Sequence, residues 1–189
     1  MVDPTRSIVI SGMPAVGKTT VAKTISERYG IRYFSGGDVL KDIADELGFE
    51  VSEEEWWDSE GGMAFLEMRK KDGSFDKRVD QKLVSLIADE TVVITSYPLP
   101  WLTKSPLKIW LKASESRRAE RLAGRDNLSL KESIKVVKKR DDENRKIYET
   151  LYGIKYGDDL SVFDFVIGTD ELPSPKVIEI ALSIVKCFV

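Results

Sequence analysis

The chain has 189 residues, enough for one α/β domain with a sizeable core and short of two. Its 29 basic and 32 acidic side chains leave a net charge near −3, which argues against a general nucleic-acid binder, and the lack of any histidine excludes Ser-His-Asp chemistry, a histidine general base and mixed Cys/His zinc sites. The one cysteine, Cys187, cannot form an internal disulfide, so a reducing cytoplasm is the expected location; no apolar stretch approaches the ~20 residues that span a bilayer, and the N-terminus lacks the charged-then-apolar build of a secretory signal.

Ser7-Ile8-Val9-Ile10-Ser11 is a short apolar run of the kind that forms a buried parallel strand. It feeds Gly12-Met13-Pro14-Ala15-Val16-Gly17-Lys18-Thr19, followed by Thr20, a full match to the phosphate-binding loop pattern G-x-x-x-x-G-K-[ST]. Gly12 and Gly17 let the backbone curl until successive N–H groups point at phosphate oxygens. Lys18 places a positive charge on the outer phosphates, and the Thr19 hydroxyl suits Mg²⁺. Val21, Ala22, Ile25 and Tyr29 then mark one face of a helix that stops at Gly30. A glycine loop between a strand and a helix N-terminus, where backbone dipoles favour anions, predicts a nucleoside triphosphate site.

Ile31-Arg32-Tyr33-Phe34 reads as a second strand. It ends at Ser35-Gly36-Gly37-Asp38, where a helix begins and runs through about Leu47. Ser52-Glu53-Glu54-Glu55 is a capping box opening a helix that starts with Trp56-Trp57 and is broken by Gly61-Gly62. A helix from about Phe75 to Asp89 leads into Thr91-Val92-Val93-Ile94-Thr95, the clearest β-branched strand. Pro98, Pro100 and Pro106 frame a loop before a fourth strand, Leu107–Leu111. A helix over Ser114–Arg125 breaks at Asp126-Asn127, and a capping box at Ser129-Leu130-Lys131-Glu132 opens a long charged helix. Ser161–Ile167 is a fifth strand. The last run, Val177–Val189, carries Glu179, Ser183 and Lys186 at helical spacing and reads as an amphipathic helix that packs on the core or, alternatively, forms a dimer contact. Strands alternating with helices predict a five-stranded parallel sheet covered on both faces, with ligands at the carboxyl ends of its strands. No stretch looks like a linker, so one domain is expected over 1–189, with helical excursions at about 38–88 and 113–150.

Arg117, Arg121 and Arg125 recur every four residues and share a helix face, with Arg118 beside them and Lys138, Lys139, Arg140 and Arg145 on the next helix. One reading is a solvated face with local pairs: Glu115 with Arg118, Glu120 with Arg117, and Asp141, Asp142 and Glu143 near Arg140. The other, favoured by the upstream loop, is an arginine-bearing helical pair that closes over phosphates and excludes water.

Taken together these segments resemble the nucleoside monophosphate kinases, and among them the archaeal-type cytidylate kinases. Besides the glycine loop, the segments that carry the likeness are Ser35-Gly36-Gly37-Asp38-Val39-Leu40-Lys41, Lys108–Ala113, Arg118–Ala123 with Arg125, Ser129-Leu130, Tyr152-Gly153-Ile154, Asp159-Leu160-Ser161, Phe163-Asp164 and Thr169-Asp170. The resemblance implies a P-loop NTPase fold and transfer of the γ-phosphate of ATP, with Mg²⁺, to a nucleoside monophosphate, CMP or dCMP. Gly12 to Thr20 and Arg117 would then hold the donor; Lys18, Arg121, Arg125 and Arg140 would act on the transferring group, with Arg118 and Arg145 as further members. Asp38, Lys41 and Arg78 would face the acceptor. Thr19 would bind the metal, with Asp38 reaching it through water. Small nucleotides are the expected partners, of a monomer acting without nucleic acid or membrane.

The sequence departs from that pattern on the acceptor side. Lys41 stands where relatives carry arginine, Ile147 precedes Tyr148 where arginine is expected, and Thr95-Ser96-Tyr97-Pro98-Leu99-Pro100 holds neither arginine nor carboxylate. Glu53–Gly73 differs as well. Arginine grips a phosphate in a bidentate geometry that lysine and tyrosine do not copy. Either Lys41, Lys77 and Arg78 substitute at the acceptor, or a kinase of this fold acts on another small molecule, or the chain is an ATP-binding regulator with little turnover.

Overall fold

A computed structural model of the chain describes residues 6–51, 61, 64, 65, 68 and 72–188. Among these residues five strands form one parallel sheet in the order β2-β3-β1-β4-β5. They are β1 (Ile8–Gly12), β2 (Arg32–Ser35), β3 (Val92–Thr95), β4 (Leu107–Lys112) and β5 (Phe165–Gly168). All five residues of central β1 are buried. Because side chains alternate along a strand, Ile8 and Ile10 face one side with Val93, Leu107 and Ile109, while Val9 faces the other with Val92 and Ile94.

Each side is covered by helices whose apolar stripes match it. On the first lie α1 (Lys18–Tyr29), through Val21, Ala22 and Ile25, and, from near the end of the chain, α7 (Ser174–Lys186), through Val177, Ala181 and Val185. The last helix therefore packs on the core. On the second lie α2 (Gly36–Glu46) and α3 (Ser74–Asp89), through Val39, Leu40, Ile43, Phe75, Val79 and Leu83. Each such aliphatic or aromatic side chain withdrawn from water stabilises the fold by about 1.5–3 kcal/mol.

Among the described residues the expected elements are present; two of them differ locally, and the start of the helix after β2 falls within the expected Ser35–Asp38 turn. β5 begins at Phe165 rather than Ser161, because Asp159 accepts the Ser161 N–H and Asp164 accepts the Lys108 N–H at 2.8 Å, so side chains occupy positions that strand pairing would have used. A single helical turn, α4 (Leu99–Leu102), forms inside the proline-framed loop. α2 starts at Gly36, two residues before Asp38, because the Ser35 side chain caps it by accepting the Asp38 N–H. The Ser52 capping box and Trp56-Trp57 lie outside the described residues.

α5 (Glu115–Asp126) and the long α6 (Leu130–Tyr152) stand over the carboxyl ends of β1 and β4. The Ser129–Glu132 capping box closes in both directions. Ala119, Leu122 and Val137 make a small apolar seam between the two helices. The seam continues into a bidentate ion pair: Arg118 donates to both oxygens of Asp141 at 2.8 and 2.6 Å, with the two residues only 4% and 5% exposed. The same guanidinium reaches the Pro14 carbonyl at 3.3 Å. Glu115 therefore does not pair with Arg118 but lies 3.6 Å from Lys138, and Asp141 serves Arg118 rather than Arg140. The Arg117–Glu120 pair forms as the spacing predicts, at 2.7 Å.

Arg118 Nε is buried without a partner, so the pair is incompletely satisfied. Asp141→Ala is expected to lower unfolding stability by about 3–5 kcal/mol, because it strands a buried charge. The double replacement Arg118→Met with Asp141→Leu should lose less than that single change. Urea titrations of the three proteins check both statements.

Candidate functional site

The loop joining β1 to α1 is shaped by its backbone. Gly12 has φ 148° and Gly17, the residue capping α1, has φ 99°. A Cβ at Gly12 would overlap the Leu111 carbonyl and come within 2.9 Å of Val16, so only glycine fits. Between them Ala15 holds φ 63°, a left-handed conformation that strains a residue with a side chain.

Side chains hold the carbonyls of this loop. Tyr156, from the segment after α6, donates its hydroxyl to Gly12 O at 2.8 Å. Arg118 donates to Pro14 O and Arg121 to Val16 O, at 3.3 and 3.4 Å. Lys18 donates to Gly12 O and Met13 O at 2.7 and 3.0 Å. Meanwhile the N–H groups of Ala15, Val16, Gly17, Lys18 and Thr19 have no acceptor among the described residues. A row of open amides at a helix N-terminus is an anion site.

Lys18 sits with its ammonium 4.6 Å from the centre of the Tyr97 ring. Burial, then the charges of Arg140 and Arg118, bring its pKa down to about 7, against a smaller opposing pull from Asp141. A bound polyphosphate would supply the negative charge that this lysine lacks.

Two cavities meet at this loop. The larger, of about 1040 Å³, runs along residues 14–21, beneath Arg117, Arg121 and Arg125, to the segment 169–174. The smaller, of about 410 Å³, is enclosed by the end of β2, one face of α3 and the segment 95–98. Lys18, Thr19, Tyr97 and Arg140 border both.

Each sequence-derived candidate now has a position. Gly12 and Met13 hold Lys18 through their carbonyls, and Pro14 to Thr20 line the larger cavity. Arg121 donates to the Thr169 hydroxyl and carbonyl at 3.0 and 2.6 Å, tying the loop to the end of β5. Arg117 reaches Asp170 O at 3.0 Å. Arg125 is engaged with Asp126. Arg140 makes no hydrogen bond or ion pair with any described residue, although it lies between the cavities. Arg118 is consumed by its buried pair, and Arg145 lies 3.8 Å from Asp142.

On the acceptor side, Asp38, Lys41 and Arg78 are not among the described residues that line the smaller cavity. Asp38 stands one step behind it, accepting the Ser35 hydroxyl at 2.6 Å, and Arg78 pairs with Glu46 at 2.9 Å. The reason is amphipathic phase: Arg78 and Asp38 lie on exposed faces, whereas the inward positions of α3 present Asp76, Val79 and Asp80. Those two aspartates, with Tyr97, Tyr148 and Tyr156, were not picked out from sequence as site residues. The readable signal was two carboxylates four apart, each adjacent to the apolar stripe Phe75, Val79, Leu83.

A parallel sheet ordered 2-3-1-4-5, with a glycine loop holding its amides open after the central strand, defines a P-loop fold, with two cavities meeting at that loop. The chain belongs to the cytidylate kinase-like family, whose model matches residues 7–171. It is 34% identical over 182 residues to a cytidylate kinase of Sulfolobus acidocaldarius, covering 95% of this chain and 93% of that one. To a cytidylate kinase of Sulfurisphaera tokodaii it is 32% identical over 179 residues, covering 92% and 91%. The solved structure of an uncharacterized protein from Eubacterium ventriosum superimposes with a TM-score of 0.70 over 96% of this chain and 98% of that one, at 16% identity, a likeness of fold alone.

The lowered pKa of Lys18 has a consequence for stability. Its value is 10.5 in the unfolded chain and about 7 in the folded one, so the unfolded state binds more protons between these limits. This contribution therefore makes stability rise with pH across that window, and it is lost as pH falls through about 7. Denaturant titrations at neutral pH and well above it should show wild type gaining more stability on alkalinisation than Lys18→Met.

Proposed function

We propose that the protein transfers the γ-phosphate of ATP to a nucleoside monophosphate, with CMP and dCMP as its acceptors, forming ADP and the nucleoside diphosphate. The observation that carries this reading is the meeting of two cavities at Lys18, Thr19, Tyr97 and Arg140, directly beside a row of open amides. One chamber for a donor and one for an acceptor, sharing a cationic border, is what an in-line transfer between two nucleotides requires. The names of the relatives supply the acceptor base.

In this account the loop amides from Ala15 to Thr19 bind the donor phosphates, with Gly12 to Thr20 shaping the cradle. Lys18 leaves the Gly12 and Met13 carbonyls for the β- and γ-phosphates and becomes fully charged there. Arg117 and Arg121 keep the donor pocket in register. Arg125 exchanges Asp126 for phosphate as the tip of the α5–α6 pair closes. Arg140, without a hydrogen-bond or ion-pair partner among the described residues, follows the transferring group between the chambers. The acceptor phosphate oxygen attacks phosphorus while the bond to ADP breaks, and no general base is needed because that oxygen carries no proton at neutral pH.

The excursions at about 38–88 and 113–150 act as acceptor-binding and lid regions. Anchoring of α5 by Arg118 and Arg121 restricts the moving part of the lid to its far end, around 125–130.

Mg²⁺ suits the donor set beside the loop. Among the described residues no group of three or more histidine, cysteine, aspartate or glutamate side chains gathers as a cage, while the Thr19 hydroxyl borders both chambers. An ion that keeps most of its water and leans on one hydroxyl and the substrate phosphates fits such a site. Bound there, it would neutralise developing charge on the phosphates.

No described helix is long and apolar enough to cross a membrane. We place the enzyme in the cytoplasm as a monomer working on free nucleotides.

The test is an ADP-release assay with Mg-ATP against CMP, dCMP, UMP, AMP, GMP and dTMP, with a blank lacking acceptor. CMP and dCMP are expected to be fastest; blank-level rates with every monophosphate, alongside measurable ATP binding, would refute the proposal. Arg140→Ala should lower kcat by about 10²–10³-fold, the usual loss for one preorganised donor at a developing charge. Arg78→Ala, exposed and paired with Glu46 rather than lining the cavity, should change it by less than about threefold, in line with surface substitutions generally.

A further inference from the structure

The smaller cavity is polarised. Among the described residues, the cationic side chains that line it, Lys18 and Arg140, are also the ones it shares with the larger cavity. The wall formed by α3 is acidic: Asp76 and Asp80 stand one helical turn apart on the cavity face, 7% and 5% exposed, with Val79 beside them. Leu40, Pro98 and Tyr148 add apolar surface suited to a flat ring.

Asp80 is fixed from behind. The Tyr152 hydroxyl, at the end of α6, donates to its Oδ2 at 2.6 Å. Burial and then this hydrogen bond push the Tyr152 hydroxyl well above its ordinary range, so the tyrosine keeps the proton and the aspartate remains an acceptor.

This polarity orients an acceptor nucleotide. Its phosphate must lie at the shared border to reach the donor, which turns the opposite end of the molecule, the base, toward α3. There it meets the carboxyl oxygens of Asp76 and Asp80, which are hydrogen-bond acceptors. We propose that Asp80, positioned by Tyr152, and Asp76 accept hydrogen bonds from the exocyclic amine of the acceptor base, so that the site selects an aminopyrimidine over an oxopyrimidine monophosphate. Cytosine presents that amine where uracil presents an oxygen, which brings no proton to these acceptors. The inference rests on the kinase reading above and assigns the source of its base selectivity.

The experiment measures kcat/KM for CMP, dCMP and UMP at saturating Mg-ATP, for wild type, Asp80→Asn, Asp76→Asn and Tyr152→Phe. Wild type should prefer CMP to UMP by about 10²-fold or more, as expected when a mispaired analogue leaves buried polar groups unsatisfied. Asp80→Asn, whose amide can donate to a carbonyl, should shrink the CMP-to-UMP ratio at least tenfold, with CMP and dCMP falling together and KM for ATP unchanged. Tyr152→Phe should raise KM for CMP several-fold with little change in kcat. Equal losses on CMP and UMP would overturn the inference. So would a change in the CMP-to-dCMP ratio at constant base preference, since that marks a contact to the sugar. If Asp80→Asn does not fold, Asp76→Asn and Asp80→Glu read the same ratio. If wild type turns over none of the three, the kinase reading fails separately, and calorimetric CMP affinities of wild type and Asp80→Asn then decide the base contact: equal affinities overturn it.

Discussion

The glycine loop is shaped by what happens to its carbonyl oxygens. A backbone that offers consecutive N–H groups to an anion needs other partners for its C=O groups, because unpaired carbonyls in a partly buried loop would be costly. Here the oxygens of residues 12, 13, 14 and 16 are taken by Tyr156, Lys18, Arg118 and Arg121. Two of these side chains come from α5, one from α1 and one from the segment after α6. Three of the four side chains that hold the loop thus come from more than a hundred residues away, and the position of α5 is as much a part of the loop as its glycines.

That dependence explains an aromatic cluster beneath the site. Tyr156 packs among Tyr97, Trp101, Trp110 and Tyr148 at ring separations of 5.5 to 5.9 Å, mostly edge to face or tilted. Gly157 follows it at φ 86°, close against Met13. A tyrosine this enclosed has few rotamers, so its hydroxyl meets Gly12 O at little further entropic cost. Tyr97 continues the cluster to the surface of the site, where its ring lies against Lys18. The segment 95–100, which holds neither arginine nor carboxylate, is therefore a packing element joined to the core, and Arg140 of α6 and the carboxyl groups of α3 line the cavity beside it.

How much of this was legible in the sequence follows from which interactions are local. Strands of β-branched residues, the glycine loop and both capping-box arms at Ser129 and Glu132 are short-range features, and they appear where the spacing puts them. The arginines of α5 were legible as a set but not individually. Arg117 to Arg125 share one face on paper, yet a rotation of one position sends Arg118 into a buried pair with Asp141, 23 residues on, and leaves Arg117 outside. The same limit applies on α3, where Lys77 and Arg78 drew notice as cations while Asp76 and Asp80 occupy the inward phase. Helix phase relative to the sheet is set by tertiary packing, which periodicity constrains only to within a residue or so.

Ala15 gives the loop a further property. It keeps a left-handed backbone, although glycine would adopt that conformation without strain. A glycine there would relieve that strain while letting the loop wander through many shapes before each turnover. The methyl group narrows that search in advance, so the strain is met once, when the chain folds, and each arriving nucleotide finds a cradle that it does not have to order.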